Sequence, residues 1–204
     1  MVFPYKHPWK ALGLGVAIAF ATIAATHALL DETALQMATR WTGRISALLF
    51  IPVLLARPLV DLFGGQRFGF LLRQRARFGL TLAGNHHVHM VLLTVYLMGE
   101  GAPASDIYLN PGLYIYFVLI GMNITSFPKL AKALPKSFVK WLHIIGIYAL
   151  AAAFFSTLIL SQITGEDSDA FRLTYAIVFA LCFAVRIAAG TKRLKARFGK
   201  KSAA

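Results

Sequence analysis

The apolar residues of this chain come in long uninterrupted blocks, and that arrangement constrains the fold more than any other feature. The blocks run from about Ala11 to Leu30, Trp41 to Leu62, Phe78 to Met98, Pro111 to Phe127, Phe138 to Ser161 and Phe171 to Ala189. A stretch of about 20 apolar residues crosses the hydrocarbon core of a bilayer as an α-helix. Inside lipid every backbone N–H and C=O needs an internal partner, which helices supply within one segment. With 58% hydrophobic and only 14% charged residues, the composition is not that of a soluble domain. The expected fold is therefore all-α and integral to the membrane: a single bundle of six transmembrane helices.

Charge fixes the orientation. The formal net charge is +13, which in a soluble chain would raise nucleic-acid binding. Here the basic residues fall in particular connections, and membrane topology explains them without any nucleic acid. With the N-terminus in the cytoplasm, that side holds 18 of the 21 Lys and Arg residues and one acid, Asp61. The outer side holds Arg40, Arg44 and Arg172 with seven of the eight acids. Short cytoplasmic loops are enriched in Lys and Arg, so both termini are expected in the cytoplasm of a multi-pass inner-membrane protein. Residues 190–204 form a basic cytoplasmic tail. The N-terminal apolar run is longer than the core of a cleaved signal peptide, which favours a retained first helix. Residues 64–77 read as a basic amphipathic connection suited to an anionic membrane surface. The one cysteine, Cys182, sits within an apolar block and excludes an intrachain disulfide or a Cys-pair metal site.

The third block carries the chemistry. It holds His86, His87 and His89 within four positions, and ionisable side chains at membrane depth are usually functional. His86 and His89 lie three residues apart, on one helix face; His87 points elsewhere and reads as structural. His143 lies near the start of the fifth block. With both termini inside, the third and fifth helices run in the same direction. Imidazoles on neighbouring membrane helices suggest ligands to haem iron. No GxGxxG, GxxxxGK[ST] or HExxH motif competes.

Three stretches, TGRISALLFIPVLLARPL, RARFGLTLAGNHHVHM and TSFPKLAKALPKSFVKWLHIIGIY, resemble the ferric-reductase-like transmembrane family. In pattern they are most similar to the haem-binding membrane subunits of periplasmic methionine sulfoxide reductase systems. The likeness covers the chain from about Trp41 to the tail. It implies six helices around haem b, with electrons passing from a separate flavin or quinol donor to a separate acceptor protein on the outer side. By motif, His89 matches a family ligand on the third helix and His143 one on the fifth. The family carries a second histidine about four helical turns away on each. Arg75 and Ser156 stand at those places here.

Depth bears on the pairing. His89 lies about 18 Å beyond Arg77 and His143 about 5 Å beyond Lys140, at about 1.5 Å rise per residue. That offset of roughly 13 Å exceeds the ~4 Å between imidazoles that share an iron; His86 shortens it by one turn. The metal-ligand candidates are His89 and His143, with His86 as an additional haem-binding candidate. Arg44 and Arg77 are candidate partners for haem carboxylates. The alternative is a haem-free structural or assembly membrane protein, or a small transporter, on the same scaffold.

Overall fold

The computed structural model describes residues 7–29, 34–101, 103, 111–157 and 170–201. These residues form seven α-helices: α1 (Pro8–Leu29), α2 (Ala34–Phe63), α3 (Gly65–Gly99), α4 (Pro111–Ile124), the short α5 (Pro128–Lys132), α6 (Lys136–Phe155) and α7 (Ala170–Lys201). No strand occurs among the described residues. Asp31, Glu32, Asp106, Glu166, Asp167 and Asp169, expected in outer loops, and residues 158–161 of the expected fifth span lie outside them.

Four helical stretches are long and apolar enough to cross a membrane: Pro8–His27, Ala34–Phe63, Lys136–Phe155 and Leu173–Ala196. A fifth, Gly112–Ile124, is apolar but shorter. The 35-residue α3 is not among the four. Asn85, His86, His87 and His89 dilute its apolar part, and the arginines Arg67, Arg73, Arg75 and Arg77 lie at its start. The outward side chains are apolar, as in lipid-facing helices: Phe20 is 60%, Phe117 61% and Leu181 61% exposed.

Several boundaries differ from the sequence reading; α2, for one, begins at Ala34 rather than near Trp41. The basic stretch 64–77 is not a separate connection; from Gly65 it is the first part of α3. Only Gly64, with φ of +93°, separates α2 from α3. Glycine alone enters that left-handed region without strain. Downstream, Gln, Arg and Leu favour helix and no proline interrupts them. The helix spans about 50 Å, longer than the ~30 Å hydrocarbon core. The tail likewise continues α7 to Lys201.

The chain forms two compact units. Unit 1 comprises residues 1–50 and 76–150; unit 2 comprises 51–75 and 151–204. In unit 1, α1 and α3 cross backbone to backbone. A Cβ on Gly15 would overlap the Thr81 carbonyl oxygen and reach within 2.8 Å of the Asn85 amide nitrogen. A Cβ on Gly84 would overlap the Leu12 carbonyl oxygen. Small residues permit such approach in membranes. α4 meets α6 at Gly146, where a Cβ would overlap the Met122 sulfur.

Unit 2 is organised by a proline. Pro58 lies inside α2 and has no N–H for the carbonyl of Leu54, four residues back. Arg186 of α7 fills the vacancy: its Nη1 donates to the Leu54 carbonyl at 2.8 Å. Leu54 is fully buried, so an unmet carbonyl there would be costly. Lys192 similarly donates to the Leu62 carbonyl at the α2 C-terminus, at 3.0 Å. Phe179 of α7, also fully buried, packs against Phe154 of α6 at a ring separation of 5.8 Å.

The two glycine crossings predict unequal outcomes. Gly84→Ala sets a methyl group against backbone and should destabilise the folded protein by about 3 kcal/mol. Gly146→Ala meets a flexible methionine and should lose about 1 kcal/mol or less. Denaturation of both variants in mixed detergent micelles, followed by circular dichroism, measures the difference; equal losses would contradict the close crossing.

Candidate functional site

The three candidate histidines, His86, His89 and His143, and the neighbouring His87 all belong to unit 1. One face of α2 presents Thr39, Thr42 and Ser46, spaced three and four residues apart and therefore aligned. All three are buried. This hydroxyl stripe meets the polar patch of α3. Asn85, fully buried, donates from Nδ2 to the Thr42 carbonyl at 2.8 Å and to Ser46 Oγ at 2.9 Å. Its Oδ1 is buried with no hydrogen-bond partner among the described residues. One amide thus ties two helices together at the level of the histidines.

The Thr42 hydroxyl settles the protonation of His89. Its hydrogen goes to the carbonyls of Ala38 at 2.8 Å and Thr39 at 3.1 Å. Its lone pair is then what faces His89 Nδ1 at 3.1 Å. Nδ1 therefore carries the proton and donates, which in a neutral imidazole leaves the lone pair on Nε2. A metal-binding histidine commonly has this arrangement, with one ring nitrogen donating to a fixed acceptor and the other free to ligate. Gly43 makes room for the ring: a Cβ there would stand 3.0 Å from His89 Cε1. His86 joins the cluster, its Nδ1 3.1 Å from Ser46 Oγ and its ring 5.1 Å from that of His89, tilted by 36°.

His87 faces α4 instead. Its Nδ1 lies 3.1 Å from the Tyr116 hydroxyl, and Asn123 Nδ2 lies 3.0 Å from its Nε2. Both ring nitrogens are engaged, so His87 is a polar tie between α3 and α4. His143 of α6 bonds to Thr125, just beyond α4. The Thr125 hydroxyl donates to the Gly121 carbonyl at 2.9 Å, so it accepts from His143 Nε2 at 3.0 Å. Of the four, His86 and His89 are the pair the structure brings together; His143 is placed against Thr125.

The arginines take different positions. Arg44, half-buried, lies over the Trp41 ring at 4.8 Å from its centroid, a cation–π contact. Arg77 is exposed. Among the described residues no group of three or more His, Cys, Asp or Glu side chains could hold a metal ion by itself. The donor set fits a haem axial position at His89, where tautomer and ring orientation are already set. His87 does not fit, because both nitrogens are engaged.

Sequence reasoning missed Thr39, Ser46 and Tyr116 as histidine-site residues, whereas Asn85 and Asn123 were legible as polar partners for membrane histidines. The 3–4 spacing of hydroxyls within an apolar block was the available signal for the α2 stripe. Comparison with protein-family models, with curated proteins and with solved structures returns no match.

The Thr42–His89 pair makes a direct prediction. Thr42→Val keeps the shape and removes the acceptor, leaving a buried N–H unmet, so stability should fall by about 1–3 kcal/mol. Thr42→Ser should recover most of it. Detergent denaturation reads both; a neutral Thr42→Val would show that the hydroxyl does not hold the ring.

Proposed function

We propose that this chain is a six-span inner-membrane protein, with both termini cytoplasmic, that carries electrons through b-type haem. The observation that supports this reading most is His89: its Nδ1 faces the Thr42 hydroxyl, which accepts there, and Gly43 leaves room for its ring. His89 is also the residue whose motif resembles the ferric-reductase-like ligand. Haem b, when bound, supplies a one-electron carrier between a donor on one side and an acceptor on the other. His89 would hold the iron. Thr42 would keep the ring in the ligating tautomer, and Asn85 would clamp α2 to α3 beside it. His143 and His86 are the candidates for a second axial position, and Arg44 and Arg77 for the haem carboxylates. A separate flavin or quinol donor and a separate outer acceptor protein complete the route.

A second reading, a haem-free structural or assembly protein or small transporter, draws on the ties to α4. His87 is bonded through both nitrogens and His143 through Nε2 to Thr125. Such links suit a bundle that uses histidines as polar joints.

Visible absorption of the purified protein separates the two. The electron-transfer reading predicts a Soret band, sharp α and β bands on reduction, and loss of all of them in His89→Ala with the helical content retained. A colourless, folded wild-type preparation, or full haem occupancy in His89→Ala, would reject the assignment.

A further inference from the structure

Ser46 departs from the other hydroxyls of the α2 stripe. Thr39 and Thr42 bond back to the carbonyls four residues earlier, Leu35 and Ala38, each at 2.8 Å. The corresponding acceptor for Ser46 is the Thr42 carbonyl, and that oxygen is already filled. A carbonyl oxygen has two lone pairs. The helical ladder of α2 sets the Ser46 N–H on one of them, and Asn85 Nδ2 takes the other at 2.8 Å. A carbonyl only accepts, so the nitrogen of the Asn85 amide must face it. The second amide hydrogen of Asn85 goes to Ser46 Oγ at 2.9 Å.

The hydroxyl hydrogen of Ser46 is thereby turned away from its own backbone. Ser46 is fully buried, and a buried hydroxyl hydrogen without an acceptor is costly. Among the described residues the acceptor within reach is His86 Nδ1, at 3.1 Å. The reverse arrangement, with His86 Nδ1–H donating to Ser46, would leave the serine hydrogen unmet in the interior.

We infer that Asn85, acting through Ser46, fixes His86 with its lone pair on Nδ1 and its proton on Nε2, the reverse of His89. Asn85 and Ser46 are positioning residues for this ring. His86 then serves as a hydrogen-bond donor beside His89, not as an iron ligand through Nε2. The two rings lie 5.1 Å apart on one helix face. An imidazole N–H there suits an acceptor oxygen, such as that of a haem carboxylate. The tautomer rests on the hydrogen bonds of this unit alone. The donor role beside a ligated iron rests on the haem reading, and it leaves His143 as the candidate for the second axial position.

Nitrogen-15 NMR of the full-length, haem-free protein, with the His86 signals assigned through His86→Gln, reads the tautomer. Wild type should show His86 unprotonated on Nδ1 and protonated on Nε2 at neutral pH. Asn85→Ala frees the Thr42 carbonyl. Ser46 should then bond back to it and accept from His86, moving the His86 proton to Nδ1 while His89 stays as it was. A wild-type His86 protonated on Nδ1, alone or together with Nε2, would overturn the assignment without any variant. So would a folded Asn85→Ala protein in which His86 keeps its wild-type tautomer. In the haem-loaded protein, electron paramagnetic resonance of His86→Gln should show the wild-type spin state; a changed spin state would make His86 a ligand and overturn its donor role. A colourless wild-type preparation would reject the haem reading, and the NMR result alone would then decide the tautomer.

Discussion

One hydroxyl hydrogen governs the candidate site. Because Thr42 gives its hydrogen to the backbone of its own helix, only its lone pair is left for the neighbouring helix. His89 must answer with Nδ1–H. The choice is made by α2 alone, through the ordinary habit of threonine to bond back to the carbonyl one turn earlier. Thr125 repeats the device for His143, with the opposite ring nitrogen. The same type of partner therefore meets Nδ1 of one histidine and Nε2 of the other. That difference separates His89 from His143 chemically, although sequence motifs put them on an equal footing.

The helix contacts make such control possible. Close approach of α1 and α3 at Gly15 and Gly84 confines α3, and Asn85 binds it to α2 through a carbonyl and a hydroxyl. In lipid there is little hydrophobic drive between helices, so small-residue contact and hydrogen bonds carry association. Unit 2 answers a related need at Pro58, where the carbonyl freed by the missing N–H takes its donor from Arg186. Both units turn a backbone vacancy or a backbone bond into a point of attachment between helices.

Much of this was legible in the sequence. Apolar blocks announced an all-helical protein with membrane-spanning segments, and the four stretches long and apolar enough to cross a bilayer fall on expected blocks. The histidine block was harder to size, because Asn85 and three histidines lower its hydropathy and a helix of 35 residues absorbs the basic stretch before it. Helix continuity through Gln66–Arg77 follows from propensity, which charge patterning obscured. The site itself was half legible. His86 and His89 could be paired by their spacing of three, and His87 set apart. Which helix each would face could not be read, because that depends on rotation about the helix axis and on partners more than 35 residues away, such as Ser46 and Thr42. The Arg186–Leu54 bond spans 132 residues and needed Pro58 to be recognised as a freed acceptor.

The central claim is that α2 presets His89 with its proton on Nδ1 and its lone pair on Nε2. Nitrogen-15 solid-state NMR of histidine-labelled protein in lipid bilayers, prepared without haem and assigned by comparison with His89→Gln, reads this directly. The account predicts a neutral His89 with a protonated Nδ1 and an unprotonated Nε2. A neutral His89 protonated on Nε2, or a doubly protonated ring at neutral pH, would contradict it.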